Sequence, residues 1–431
     1  MTFHHADLVD VLAWGRLVGA VVEDPSRPGY FVFEYAEDWV GGGIELAPLH
    51  MPTRSGETYS FPELDRSTFW GLPGLLADAL PDRFGNALIN ARLREEGVDA
   101  GDITALDRLA YTADRGMGAL EFFPPIEPTA PDPTVIELAD LVVASRSLVE
   151  GRPGDDRATA DALAQLISVG TSAGGARPKA VIAYNVETGQ IRSGQVEVPE
   201  GFEPWIIKLD GVDGYRFGPS QDTGRIEYAY SLMAGAAGID MAECRLHREF
   251  DRAHFMTRRF DRGSDGAKVH AQTLCALDHL DYNLLPGAHG YGQYLAVIDA
   301  LDLGAAAREE GFRRMVFNVA GANRDDHTKN LSFLADEQGR WRLAPAYDVT
   351  HSHADGVGVV HHRMSIDGKT TEIAMADLLT FADRWEVPAP DEAITQVLTA
   401  VDAWGDFAGA AGVPAADIDR IRADLDRSRP T

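Results

Sequence analysis

The chain has 431 residues, enough for two or three domains at about 150 residues each, and each of these can bury its own core. Thirty-nine basic against 67 acidic residues leave a formal charge of −28, which repels phosphate backbones and anionic lipid and argues against direct nucleic-acid or membrane binding. Two cysteines without CxxC spacing, an N-terminus lacking a basic-then-apolar leader, and no apolar run near the roughly 18 residues that span a bilayer predict a cytoplasmic protein in a reducing compartment.

Residues 8–23 and 30–35 are rich in Val, Tyr and Phe and are broken by Gly and by SRPG, which predicts a small antiparallel sheet. From Ser67 to about Glu96 apolar residues recur at helical spacing through Phe69, Leu75, Leu80, Phe84 and Leu88, with Pro73 and Pro81 at starts or kinks. The stretch FFPPIEPTAPDPT, 122–134, carries five prolines and no periodicity, the composition of a stiff linker, and closes an N-terminal region of 1–121. A helix over about 134–149 and a second ending near Ile167 then precede GTSAGGARPK at 170–179. That glycine-rich loop runs into the strands KAVIAYNV and PWIIKLDG (204–211). A helix over 225–237 and a strand over 254–261 follow. Beyond about 268 the chain reads as mostly helical: Phe312, Met315, Val316 and Val319 keep i, i+3, i+4, i+7 spacing, as do Ile394, Val397, Leu398 and Val401. The expected fold class is therefore α+β, with a β-rich part over 135–262 and an α-helical part over 263–431.

Arg324-Asp325-Asp326-His327-Thr328-Lys329-Asn330 fits R-D-x-x-x-x-N, the spacing of a phosphotransfer loop. Such a loop needs a carboxylate beside the substrate hydroxyl and, one short turn later, an amide oxygen for Mg2+, which assigns Asp325 as base and Asn330 as ligand. Eighteen residues on, Ala346-Tyr347-Asp348 supplies a second carboxylate of the kind that bridges metal to phosphates. Each motif alone is weak, because an Asp-Asp pair at a helix end is ordinarily a solvated cap. The order carries the argument: glycine loop, strand lysine, helical glutamate, D-x-x-x-x-N, then Asp. Only five of the 39 basic residues are lysine, so a retained lysine hints that an ammonium is wanted, and Lys179, Lys208 and Lys329 all fall inside these motifs. Lys208 shares a strand face with Ile206. Glu227, on the next helix, is either its ion-pair partner or a surface carboxylate. The loop departs from both G-x-x-x-x-G-K-[ST] and G-x-G-x-x-G, which disfavours a simple P-loop, yet Gly174 and Gly175 permit close approach to phosphates and Ser172 adds a hydroxyl. A rival chemistry groups Asp325, Asp326, His327, Asp348, His351 and His353 as ligands of one or two hydrolytic metals, leaving Asn330, Lys208 and the glycine loop without a task. His4, His5, His361 and His362 read as surface residues.

Taken together these segments resemble the HipA family of serine/threonine kinases, the toxin halves of bacterial toxin–antitoxin pairs. The resemblance rests on SxxGARPK (Ser172 to Lys179), IIKL (Ile206 to Leu209), RRFDR (Arg258 to Arg262), NRDDHTKNLSFL (Asn323 to Leu334) and PAYDV (Pro345 to Val349), with WGRLVGAV and MGALEF similar to the N-terminal subdomain. It implies a two-lobed, protein-kinase-like α+β fold using ATP and Mg2+, with a β-rich N-terminal lobe and a mostly α-helical C-terminal one. By resemblance Asp325 is the base, Asn330 and Asp348 the metal ligands, and Lys208 the phosphate lysine. Arg258, Arg259 and Phe260 meet adenine through their backbone, Asp261 approaches the ribose, and Gly174, Gly175, Lys179, His327 and Lys329 complete the nucleotide side. Ser172 matches the autophosphorylated serine, whose added charge would expel the loop. Arg324 stands where relatives often have threonine, and Arg177-Pro178 where some have Gln-Glu. The resemblance also implies a protein target, in known cases an aminoacyl-tRNA synthetase, and a small helix-turn-helix, HipB-like antitoxin that contacts residues 1–121 and reaches DNA on the kinase's behalf. The remaining alternatives are a nucleotide-binding partner of an antitoxin without transfer activity, and the metal hydrolase.

Overall fold

The computed structural model describes residues 3–95, 97–126, 178–194, 198–210, 222–249, 251–263, 266–352 and 361–431. Ser172, Gly174 and Gly175 of the glycine loop, the helices expected between 134 and 167, residues 127–134 of the proline-rich stretch, and His353 lie outside them. The chain divides into two compact units, one of residues 1–221, 256–272 and 335–340, the other of 222–255, 273–334 and 341–431.

In the first unit the N-terminal alternation yields the expected sheet. Strands β1 (Leu8–Ala13), β2 (Arg16–Glu23), β3 (Phe31–Tyr35), β4 (Thr58–Tyr59) and β5 (Leu120–Phe123) stand in the order β4-β3-β2-β1-β5. Val9, Val11 and Ala13 point inward at period two, and Val9 pairs with Val21, which in turn pairs with Phe33. Gly19 is required where β2 passes β3, because a Cβ there would lie 2.1 Å from the Glu34 carbonyl oxygen. Phe122 and Phe123, read above as linker, instead complete β5, since their side chains alternate between the core and solvent. The helical run after Ser67 is broken by its prolines into α2 (Arg66–Phe69), α3 (Gly74–Ala77) and α4 (Arg83–Glu95), after a short α1 (Glu37–Gly42). Helix α5 (Ala105–Thr112) starts at a reciprocal capping box between Thr104 and Asp107. Its Asp107 also accepts from the Ala6 N–H and binds His5 Nδ1, so His5 is not an idle surface residue. A second sheet holds β7 (Ile191–Ser193), β6 (Lys179–Tyr184) and β8 (Glu203–Lys208), in that order. All of β6 except Tyr184 is buried, the signature of a strand covered on both faces.

The second unit is mostly helical. It contains α6 (Thr223–Ala236), β9 (Cys244–Glu249), most of β10 (Arg252–Arg258), the end of β11 (His270–Thr273), α7 (Leu274–Leu277), β12 (His289–Gly290), α8 (Tyr291–Ala300) and α9 (Gly304–Ala320). There follow β13 (Ser332–Ala335), β14 (Trp341–Leu343), β15 (Met364–Ser365), α10 (Met375–Arg384), α11 (Pro390–Asp402), α12 (Trp404–Ala411) and α13 (Ala415–Ser428). The apolar stripes read from the sequence face inward: Phe312, Met315 and Val316 of α9 are fully buried, and Ile394, Val397 and Val401 are buried on α11, the helix that packs against it. Among the described residues no helix is long and apolar enough to cross a membrane.

Candidate active site

Helix α9 ends at Gly321, and the chain leaves it through Ala322, whose φ is +52°, into the Asn323–Asn330 segment that leads to β13. Two hydrogen bonds close this segment. The Asn330 N–H donates to the His327 carbonyl at 2.9 Å, forming a 3-10 turn over Thr328–Asn330, and Asn330 Nδ2 donates to the Asp325 carbonyl at 2.9 Å. The buried Thr328 hydroxyl anchors the turn to the Leu280 carbonyl at 2.8 Å. Asp325 and Asn330 are thus brought together by one turn, with the Asp325 side chain 66% exposed and its Oδ1 3.8 Å from His327 Nε2. With Nδ2 committed, Asn330 has Oδ1 as its acceptor.

Asp348 follows β14 in a left-handed conformation, φ +54°, which Asp tolerates better than most residues. The preceding Tyr347 hydroxyl donates to the Lys329 carbonyl at 2.8 Å and meets Ser332 Oγ at 2.5 Å, so the two loops are tied directly. Asn330 and Asp348 line one pocket together with His327, Asp326 and Asn318. An amide oxygen and a carboxylate are the hard donors that suit Mg2+. Asp325 does not line this pocket but stands on the turn that borders it. The His327 ring lies 5.3 Å from that of Tyr282, and Lys329 Nζ sits 5.4 Å over the same tyrosine.

Of the residues in the hydrolase reading, His353 lies outside the described ones, and Asp326 and His351 are committed to other partners. Asp326 is buried, accepting at Oδ2 from the Tyr291 hydroxyl (2.7 Å) and His362 Nδ1 (2.9 Å) and at Oδ1 from the Arg363 N–H (2.7 Å). His351 Nε2 is 2.8 Å from Asp424 Oδ2 on α13, and burial pushes its imidazole below the usual range against the pull of that carboxylate. Among the described residues no three of His, Cys, Asp and Glu are placed to share a metal ion. His362, expected at the surface, is buried because Asp326 needs a donor.

In the first unit, Lys179 and Lys208 are directly opposite one another across β6 and β8. Lys179 is buried and Lys208 half-buried. Arg258 lies 3.7 Å from Glu203, and Phe260 is half-buried. The ribose expectation for Asp261 and the adenine expectation for the Arg259 N–H require correction. Asp261 is fully buried: it accepts from Arg259 Nε (3.0 Å) and Nη2 (2.7 Å), Arg262 Nη1 (2.6 Å) and the Gly118 N–H (2.7 Å). Burial alone would raise its pKa, but the two guanidinium groups reverse this and hold it far below the carboxylate range. Burial in turn brings Arg262 down to about 10. The Arg259 N–H is spent on the Pro204 carbonyl, and its Nη2 also donates to the Gly116 carbonyl. These groups therefore hold the segment and do not face a ribose. Glu227 is buried on α6 and is no surface carboxylate.

Lys268 was missed. Its Nζ donates to the Asp114 carbonyl (2.7 Å) and pairs with Glu121 (2.8 Å) beside the Asp261 cluster, and lysine scarcity was the signal that could have found it.

A family model described as HipA-like C-terminal domain matches residues 171–404, and one described as HipA N-terminal domain matches residues 9–123. Y4mE of Sinorhizobium fredii (strain NBRC 101917 / NGR234), named a putative kinase, is 26% identical over 402 residues, covering 88% of this chain and 84% of its own. Among solved structures, a chain of the Shewanella oneidensis MR-1 toxin–antitoxin complex of HipA, HipB and operator DNA aligns with a TM-score of 0.67 at 17% identity. The alignment covers 97% of this chain and 96% of that one, a likeness of α+β fold along nearly the whole length.

Proposed function

The chain belongs to the HipA family, and from this premise we propose that it is an ATP- and Mg2+-dependent serine/threonine protein kinase, the toxin half of a toxin–antitoxin pair. The observation that carries the reading is the closed Asp325–Asn330 turn, which sets an exposed carboxylate beside an amide oxygen that shares a pocket with Asp348. Asp325 accepts the proton of the attacking hydroxyl once the substrate is oriented beside it. Asn330 Oδ1 and Asp348 hold Mg2+, which when bound neutralises the charge on the transferring phosphoryl group. Lys208 and Lys179 bind phosphate oxygens of the nucleotide, and their facing positions across β6 and β8 support this by letting one anion meet both. Arg258 and Phe260 stay on the adenine side, while His327 and Lys329 border the phosphates. Ser172 takes the autophosphate, and about two added negative charges drive its loop from the nucleotide.

The substrate is a serine of a protein, with an aminoacyl-tRNA synthetase as the first class to test, and the chain works in the cytoplasm. A small helix-turn-helix antitoxin of the HipB kind restrains it. That reading is supported by the HipA–HipB–DNA complex to which the fold is similar, and by a charge of −28 that leaves DNA contact to the partner. The test is intact-mass and peptide mass spectrometry of the wild type and Asp325→Ala after incubation with ATP and Mg2+. Phosphate on the wild type alone supports the kinase. Its absence from both, with ATP binding retained, moves the reading to a nucleotide-binding partner of the antitoxin.

A further inference from the structure

We infer that Asp326 is a positioning residue whose buried carboxylate terminates a directed chain of hydrogen bonds that aims Asp325. The inference rests on the kinase reading above. The chain starts at the Asp325 N–H, which donates to Ser352 Oγ at 3.0 Å, and Ser352 Oγ donates to Asn323 Oδ1 at 3.3 Å. Asn323 Nδ2 donates to Asn318 Oδ1 at 2.9 Å, Asn318 Nδ2 to the Tyr291 hydroxyl at 2.9 Å, and that hydroxyl to Asp326 Oδ2 at 2.7 Å. Because Asp326 follows Asp325 in sequence, these links close a ring around the Asp325-Asp326 peptide.

The direction of the ring follows from its terminus. An ionised carboxylate only accepts, so Tyr291 must donate to it and must accept from Asn318. That fixes the orientation of both amides and leaves a Ser352 lone pair for the Asp325 N–H. Tyr291, Asn318, Asn323 and Asp326 are all buried, where a fully satisfied network polarises along its length and specifies a single arrangement. The other Asp326 contacts extend the same hold. Arg363 gives its N–H to Asp326, and its Nη2 donates to the carbonyls of Tyr282 (2.8 Å) and Leu284 (2.9 Å). Tyr282 is the residue whose ring faces His327.

Asp325 depends on this support because its own side chain is mostly exposed and packs against little. Its aim is set by its peptide group, and the same peptide carbonyl receives Asn330 Nδ2. A shift of the Asp325 backbone therefore displaces the base, while Asn330 stays held by its own N–H bond to the His327 carbonyl. Phosphoryl transfer is sensitive to displacement of this size, with about 1 Å costing on the order of 100-fold in rate.

The experiment uses the purified full chain and follows autophosphorylation by intact mass at several ATP concentrations, which separates the saturating rate from the half-saturating ATP concentration. Asp326→Asn keeps the side-chain shape and turns a donor towards Tyr291. It is expected to lower the saturating rate by about 100-fold while ATP half-saturation stays near wild type. Tyr291→Phe removes one O–H and is expected to slow transfer about 5- to 10-fold, the worth of one hydrogen bond. The double variant should be no slower than Asp326→Asn, since both break the same chain. If Asp326→Asn does not fold, Tyr291→Phe and Ser352→Ala decide. Variants as fast as wild type overturn this inference alone, as do rate losses that add in the double variant and track losses of thermal stability. A wild type without transfer overturns the kinase reading and this inference with it.

Discussion

Replacing Asp261 with alanine should destabilise the first unit without removing any group that touches nucleotide. The carboxylate accepts four hydrogen bonds from Arg259, Arg262 and the Gly118 N–H, and it is fully buried. Alanine leaves two guanidinium groups, whose side chains are 3% and 10% exposed, without their counter-charge. Arg262 keeps the Gly118 and Gly116 carbonyls and Arg259 Nη2 keeps Gly116, but Arg259 Nε loses its acceptor. Breaking a buried pair by removing one member costs about 3–5 kcal/mol, where an exposed pair would cost about 1 kcal/mol or less. For a unit of this size the midpoint should fall by about 6–20 °C. Urea unfolding followed by tryptophan fluorescence, run beside ATP-binding calorimetry, is the assay. The pH dependence has a definite sign: the folded-state pKa lies below the unfolded value, so the contribution is complete above about pH 4 and is lost as pH falls towards the folded value. Asp261→Asn should remove that part of the acid sensitivity. A cost below about 1 kcal/mol together with a large loss of ATP affinity would refute the structural role and restore the ribose contact.

Asp348→Ala should abolish Mg2+-dependent ATP binding, and unchanged affinity by calorimetry would contradict its assignment as a metal ligand. Ser172→Ala should remove most autophosphate while leaving transfer to an external protein possible; phosphate mapped only to other positions would sink the loop switch. His270 is fully buried, and burial pushes its pKa down to about 4 against the weaker opposing pull of the Leu46 backbone and Gln272. A depressed histidine costs stability as pH falls, so the wild type should weaken from about pH 6.5 down to pH 4, by up to roughly 3 kcal/mol. His270→Gln should flatten that slope in urea titrations, and an unaltered slope would show that another group is responsible.

The N-terminal sheet was legible because Val9, Val11 and Ala13 alternate, and the α9 and α11 stripes because 3.6-residue periodicity survives any tertiary context. The Asp325–Asn330 segment was legible for a different reason. Asp325 and Asn330 lie within one turn, so spacing in sequence is nearly spacing in space, and the Asn330 to Asp325 hydrogen bond closes it locally. The strand at Phe122 and Phe123 was hidden by the prolines that follow, since composition over a window cannot show that β1 waits to pair with those two residues.

Long-range polar accounts were beyond the sequence. RRFDR reads as the end of a strand, and only the fold brings Gly116 and Gly118 within reach, turning Asp261 from a candidate ribose contact into a buried hub. The second aspartate of Arg324-Asp325-Asp326 likewise reads as a twin of the first. What separates them is that Tyr291, His362 and the Arg363 N–H, 35 to 37 residues away, converge on Asp326 and not on Asp325. Sequence by itself therefore determined most of the elements, their order and the local Asp325–Asn330 turn, because these depend on periodicity and short spacing. Which of the two carboxylates stays exposed and which is buried was decided only by tertiary structure, because desolvation and hydrogen-bond partners come from residues distant along the chain.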